Sequence, residues 1–246
     1  MKKSRVVAII PARLKSNRLP GKVLMDIQGK TMLQRVHSQA KLCFPDEDVY
    51  IATDSEEVKK SAESFGAQVV MTGSYHESGT QRIAEAVKIL KMDDDDVVVN
   101  VQGDEPEISP VLIQHAANHL LRSPDTDVAT FYTEITNEAE FYNPNNVKVV
   151  LDRNDNALYF SREPIPHHGF KAGIAKRHVG IYAYHVRTLK EIAKDSHPAI
   201  EFSERLEQLQ VLYDGGTIRV LKSNSGVQPG IDTQEDLDRV RKVKFD

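Results

Sequence analysis

The sequence predicts an α/β fold: a mainly parallel central sheet with helices on both faces and a small antiparallel excursion. Three observations carry this. Through the first hundred residues, short apolar runs alternate with stretches of helical periodicity, the rhythm of βαβ units. The runs VVAII and VVVNV are apolar throughout, as in strands covered on both faces. After about Asp127 the rhythm changes to strand-like segments separated by short turns.

The elements follow in order. Residues 6–10 form a strand, and residues 31–44 a helix with Met32, Leu33, Val36, Ala40 and Cys43 at helical spacing. DVYIATD is a strand, SEEVKKSAESFG a helix stopped by Gly66, and AQVVMT a short strand. SGTQRIAEAVKIL is a helix with Ile83, Val87 and Leu90 on one face, and VVVNVQGD a strand that ends in polar residues. VATFYT, VKVVL, ALYF and HVGIYAY are strand-like, with RNDN as a hairpin turn. Two helical segments, around VRTLKEIAKD and IEFSERLEQLQVLYDGG, precede the strand TIRVLK and a final helix, DTQEDLDRVRKV. There is no internal repeat and no long linker. The expectation is a single domain over residues 1–246, with the excursion at about 130–185 serving as lid, dimer contact or both.

The bulk numbers narrow the function. With 246 residues, 40% hydrophobic and 28% charged, the chain is of ordinary globular composition. Its net charge of −4 argues against nucleic-acid binding, which shows as a basic surplus. One cysteine excludes an internal disulfide, and helical spacing predicts that Cys43 is buried and inert. The opening apolar run is too short for a signal core, and no run approaches the ~20 apolar residues of a membrane helix. A cytoplasmic protein without membrane insertion is expected.

Within this frame, AIIPARLKSNRLPGKVL stands out. Arg13, Lys15, Arg18 and Lys22 crowd into the loop after the first strand. Ligands of open α/β sheets bind at that end of the strands. Arginine forks match phosphate oxygens, and Gly21 permits close approach of the backbone. The loop is neither GxxxxGK[ST] nor GxGxxG, and a solvated basic turn weighs about equally on spacing alone. In VVVNVQGDEP, Asn100, Gln102 and Asp104 alternate at the end of a central strand, where a carboxylate suits Mg²⁺ and the alternative is a polar turn. In GIDTQED, Asp232 with Glu235 resembles a capping box, so Asp232 is either a helix cap or a metal ligand. Arg82, Arg162 and His178 are anion- or substrate-binding candidates, each with a structural alternative. Glu207 and Gln208 are ordinary helix residues by spacing. His167-His168 and the run Asp93 to Asp96 read as loop.

IPARLKSNRLPGKVL, HESGTQR, NVQGDEP, YFSREPIP, HVGIYAY, RLEQLQVL and PGIDTQEDL, in this order and over nearly the whole chain, resemble the motifs of one family. These are the 3-deoxy-manno-octulosonate cytidylyltransferases, or CMP-Kdo synthetases. The resemblance implies a nucleotide-diphospho-sugar transferase fold and a homodimer. It implies that Mg²⁺, CTP and Kdo give CMP-Kdo and pyrophosphate, for lipopolysaccharide biosynthesis. By position, Arg13, Ser16 and Lys22 would contact the CTP phosphates, and Ala12 the base through its backbone. Asp104 and Asp232 would hold Mg²⁺ and, with Lys22, form the catalytic set. Arg82, Gln102, Arg162, His178, Tyr182, Glu207 and Gln208 would surround the sugar acid. Lys15, Val23, Gln81 and His185 depart from that family's usual residues, so a related sugar acid (the 8-amino sugar, or sialic acid) stays open. So does a non-catalytic nucleotide-binding regulator, against which the two intact acids argue.

Overall fold

The computed structural model describes residues 4–245 except 15, 17, 195–198, 224–226, 228 and 229. Lys15 therefore lies outside the described residues. The chain begins with β1 (Val6–Pro11), a 3-10 turn (Lys22–Leu24) and the short pair β2 (Asp26–Ile27) and β3 (Lys30–Thr31). Next come α1 (Met32–Lys41), β4 (Val49–Thr53), α2 (Glu56–Ser64), β5 (Gln68–Met71), α3 (Gly79–Ile89) and β6 (Val97–Asn100). After α4 (Pro110–Arg122) follow β7 (Val128–Glu134), α5 (Glu138–Tyr142), β8 (Lys148–Leu151), β9 (Ala157–Ser161) and β10 (Lys176–His185). The chain closes with α6 (Val186–Ile192), α7 (Ala199–Glu204), α8 (Gln208–Tyr213), β11 (Ile218–Lys222) and α9 (Gln234–Val240).

The main sheet runs β11-β7-β10-β6-β1-β4-β5. Pairing is parallel except on the two sides of β10, so β10 alone on this path runs against the others. The excursion is thus largely woven into the sheet: β7 and β10 are sheet strands, and only the β8–β9 hairpin projects beyond the path. Its turn is fastened by Asp152, whose Oδ1 accepts from the amides of Asn154 and Asn156.

Apolar side chains alternate between the two faces. Ala8, Ile10, Val97 and Val99 pack with Leu33, Val36, Val58, Ile113 and Ala117 of α1, α2 and α4. Val7, Ile9 and Val98 pack on the opposite face with Ile83, Val87, Leu189 and Leu209 of α3, α6 and α8. A third cluster joins Leu19, Ile27 and Met32 to Ile231, Leu237 and Val240. Burying one such side chain contributes about 2 kcal/mol, so this cluster pins the C-terminal segment against the loop after β1.

Several boundaries differ from the sequence reading. The helix α1 ends at Lys41 and is capped by Thr31, whose hydroxyl accepts from Gln34 N. Cys43 lies beyond it and is half-buried rather than buried, with Sγ 3.0 Å from the carbonyl of Pro110 and its pKa raised by burial. The helix α4 had not been anticipated, although Leu112, Ile113, Ala116, Ala117 and Leu120 carry its buried face and Pro110 sits in its first turn. The single helix expected in IEFSERLEQLQVLYDGG is two, broken where Arg205 takes φ 55. Of the aspartate run, Asp94 and Asp95 pair with Lys190 and Arg187 at the surface. Asp96 is buried and accepts from the amides of Arg5 and Asp93.

Candidate active site

The strand order reverses at β1, with β4 on one side and β6 on the other. The loops after β1 and β6 therefore flank the crevice where doubly wound sheets bind ligands. Gly103, just after β6, lets these two strand ends close up: a Cβ there would lie 2.8 Å from Pro11 O. Gly21 has φ 69, a left-handed turn that starts the 3-10 turn carrying Lys22.

Lys22 is the hub. Its Nζ donates to Asp104 Oδ2 at 2.6 Å, Ile231 O at 2.9 Å and Asp232 Oδ1 at 3.0 Å, which uses all three protons. Burial pulls its pKa down, but the charges of and hydrogen bonds to Asp104 and Asp232 outweigh it, so the pKa is raised and the ammonium stays charged. The second oxygen of Asp232 pairs with Arg18 at 2.7 Å. Asp232 is not a helix cap. Thr233 caps α9 in a reciprocal box with Asp236, and the amide of Asp232 itself donates to Asp236.

Two carboxylates converging on one cationic nitrogen form an oxygen donor set that suits a hard divalent ion such as Mg²⁺. Among the described residues there is no cluster of three or more His, Cys, Asp or Glu of metal-binding geometry, so phosphates and water would complete the shell.

Two cavities adjoin here. The smaller, of about 280 Å³, is lined by Ala12, Arg13, Ser16, Arg18, Lys22 and the start of α3 at Ser78 and Gly79. Ser78 caps α3, whose N-terminal amides add to the positive field. Arg82, which the resemblance would set beside the sugar acid, lines this smaller cavity. It is 3% exposed, 3.2 Å from Asp54 and 2.6 Å from Thr72 Oγ1. Burial lowers its pKa, partly offset by Asp54.

The larger cavity, of about 500 Å³, brings together Gln102, Arg162, His178, Tyr182, Glu207 and Gln208. Gly79, Gln102 and Asp232 belong to the walls of both, so Asp232 stands at the seam with Lys22 and Asp104 on the smaller cavity's side. Arg162 is held by Glu204 O at 2.9 Å and Pro144 O at 3.1 Å. His178 contacts Thr130 Oγ1 at 2.9 Å. That hydroxyl also lies within hydrogen-bond distance of the carbonyls of Val179 and Ile181. The hydroxyl has one proton for a carbonyl, so the histidine is the Nε2–H tautomer and Nδ1 is its acceptor. Its surface is cavity wall rather than open solvent, and burial lowers its pKa to about 3.

Sequence reasoning assigned no role to Glu105, Asn145, Asn146, Arg177 and Arg205, which line this cavity together with Asn100. Glu105 directly follows Asp104 within the quoted motif and was the most legible of them. Burial, and then the Asp104 charge, pushes its carboxyl up to about 8. Arg205 opens the RLEQLQVL motif and sits at positive φ, a conformation that clusters at functional sites.

Comparisons with known proteins identify the family and the fold. A sequence model of the family described as Cytidylyltransferase matches residues 7–220. The chain is 51% identical to a 3-deoxy-manno-octulosonate cytidylyltransferase of Francisella philomiragia, covering 96% of each chain. It is 48% identical to the protein of that name from Coxiella burnetii, over 95% of this chain and 97% of the other. A solved CMP:2-keto-3-deoxy-manno-octonic acid synthetase complexed with CTP superposes with a TM-score of 0.90 at 38% identity, covering 97% of each. With the basic loop, the acid pair and the paired cavities in place, the chain belongs to the cytidylyltransferase family, among the 3-deoxy-manno-octulosonate cytidylyltransferases.

Proposed function

We propose that the two cavities divide one reaction: CTP occupies the smaller, Kdo the larger, and CMP passes to the sugar at their seam with release of pyrophosphate. The carrying observation is that Asp232, which lines both cavities, is joined through Lys22 to Asp104 on the wall of the smaller one. Arg13, Ser16 and Lys22 line the cavity for the triphosphate, and Ala12 offers its backbone to the base. Arg162 faces the sugar carboxylate from the opposite wall. The anomeric hydroxyl attacks the α-phosphorus in line; a new P–O bond forms as the bond to pyrophosphate breaks, and the hydroxyl proton passes to solvent. Positioning across the seam and cationic stabilisation of the leaving group carry the rate, with no covalent enzyme intermediate. Asp104 and Asp232 would hold Mg²⁺, which supplies charge neutralisation at the phosphates when bound.

A homodimer is supported by the side on which β9, α7 and α8 pack. Leu158, Phe202 and Tyr213 are 60%, 85% and 69% exposed there, an apolar surface that suits a second copy. In this reading the β8–β9 hairpin is the dimer contact, while Asn145, Asn146 and Arg162 at its base wall the sugar cavity. No helix among the described residues is long and apolar enough to cross a membrane. We place the reaction in the cytoplasm, with its CTP, as a step toward lipopolysaccharide. The test is pyrophosphate release from CTP with a panel of sugar acids. Kdo is expected to be the preferred acceptor; preference for the 8-amino sugar or sialic acid would redirect the assignment, and no release with any would leave a regulator.

A further inference from the structure

Residues 72–78 join β5 to α3 without helix or strand, yet side chains of α3 bind this loop along its length. Glu85 Oε2 accepts from the amide of Gly73 at 2.8 Å and lies 2.5 Å from His76 Nε2. One turn earlier, Gln81 Oε1 accepts from the amide of Glu77 at 3.0 Å, and the amide of Gln81 donates to Ser78 Oγ at 3.2 Å. Gln81 and Glu85 are four positions apart, so they share one face of the helix. The His76 side chain is 7% exposed, and the Tyr75 ring lies 4.4 Å from it between centroids. Burial raises the Glu85 pKa, but the hydrogen bonds from His76 and Gly73 outweigh it, so the carboxylate stays ionised. An ionised carboxylate only accepts, which makes His76 Nε2 the donor.

The far end of the loop belongs to the smaller cavity. Ser78, Gly79 and Arg13 line that cavity, and Glu77 O accepts from Arg13 Nη1 at 3.3 Å. A guanidinium carries five N–H donors in a fixed plane. One donor on Glu77 O orients the plane and leaves others for phosphate oxygens.

We infer that His76 and Glu85 are positioning residues for the nucleotide: with Gln81 they fix the Glu77 carbonyl that aims the Arg13 guanidinium into the smaller cavity. This rests on that cavity taking CTP. Neither residue touches the cavity wall; both act through the loop. Taking a histidine and a carboxylate out of water offsets much of what their hydrogen bond returns, so the pair contributes geometry more than stability.

The experiment is a double-mutant cycle on pyrophosphate release, with steady-state kinetics in CTP and in Kdo. His76→Leu removes the donor and should lower kcat/KM for CTP ~10-fold with KM for Kdo unchanged. His76→Gln, whose amide can donate to Glu85 in place of Nε2, should recover most of that loss. In an Arg13→Ala background His76→Leu should cost nothing further, because its effect passes through that arginine. Losses that add in the double variant, or that fall equally on CTP and Kdo, would show a merely structural pair and overturn the proposal. So would a His76→Leu enzyme with wild-type kinetics. If His76→Leu does not fold, Gln81→Leu, which removes the acceptor from the Glu77 amide, runs the same cycle under the same criteria. Arg13→Ala with unchanged kcat/KM for CTP would refute the nucleotide reading of the smaller cavity itself, and the clasp's role with it.

Discussion

Asp232→Asn separates a catalytic carboxylate from a structural one within a single substitution. Asp232 sits 3.0 Å from Lys22 and 2.7 Å from Arg18, and its side chain is 39% exposed. Pairs exposed to that degree contribute about 0–1 kcal/mol after solvent screening, and asparagine keeps one oxygen in place. The capping hydrogen bonds of α9 belong to Thr233 and Asp236 and are untouched. For a chain of this size ~1 kcal/mol corresponds to about 2–4 °C in Tm, so the melting point should fall by no more than that. Activity should behave differently. Asparagine lacks the charge that a hard cation prefers, and a loss of at least ~10²-fold in kcat/KM, about 2.7 kcal/mol of transition-state stabilisation, is expected together with a raised Mg²⁺ requirement. Thr233→Ala is the converse control: about 1 kcal/mol of stability lost with kcat unchanged. The assay is initial rate against Mg²⁺ concentration, with melting curves on the same preparations. An Asp232→Asn enzyme of full activity and unchanged Mg²⁺ profile would refute the reasoning.

Three further outcomes are expected. Arg13 is exposed and donates to Glu77 O at 3.3 Å, so Arg13→Ala should leave Tm nearly unchanged while kcat/KM for CTP falls ~10- to 100-fold, the value of one charge-assisted hydrogen bond. Arg162→Lys keeps the charge and loses the planar fork, so KM for Kdo should rise with KM for CTP intact; steady-state kinetics in each substrate would expose the reverse pattern. His178 has a folded pKa of about 3 against 6.5 unfolded. Between those values the unfolded chain binds the extra proton, so this residue's contribution to stability is present above pH 6.5 and is lost as pH falls, by up to ~1.4 kcal/mol per unit. Urea unfolding at pH 7 and pH 5 should show a smaller loss in His178→Gln than in wild type, and an equal loss would contradict the burial argument.

Local pattern was enough for much of the frame. The uninterrupted apolar runs of β1 and β6 betray strands buried on both faces, and Ser55, Ser78 and Thr31 mark helix starts whose hydroxyls do accept the capping bonds. Ordered motifs along the chain carried the family and the residues to inspect. Periodicity failed where the signal is weak or long-range. A left-handed residue at Arg205 breaks an otherwise helical stretch, and nothing in its neighbours announces it. Asp232 and Thr233 are adjacent and both able to cap, so sequence spacing alone leaves the cap undecided. The structure gives it to Thr233, because the reciprocal bond forms with Asp236.

What only the tertiary structure decided is which distant groups share a point. Lys22 and Asp232 are 210 positions apart, and they meet because the buried contacts of Leu19, Ile27 and Met32 with Ile231, Leu237 and Val240 bring the two chain ends together. Arg82 reads as a helix arginine beside an anion site, yet which cavity it lines depends on how α3 crosses the sheet. Asn100 reads as the end of a strand, and its pairing between Ile9 of β1 and Tyr182 of β10 is what buries it to 1% exposure. A sequence records which groups are available and how each is spaced from its neighbours. Hydrophobic burial, which acts across the whole chain and carries no sequence range, determines which of them end within hydrogen-bond distance.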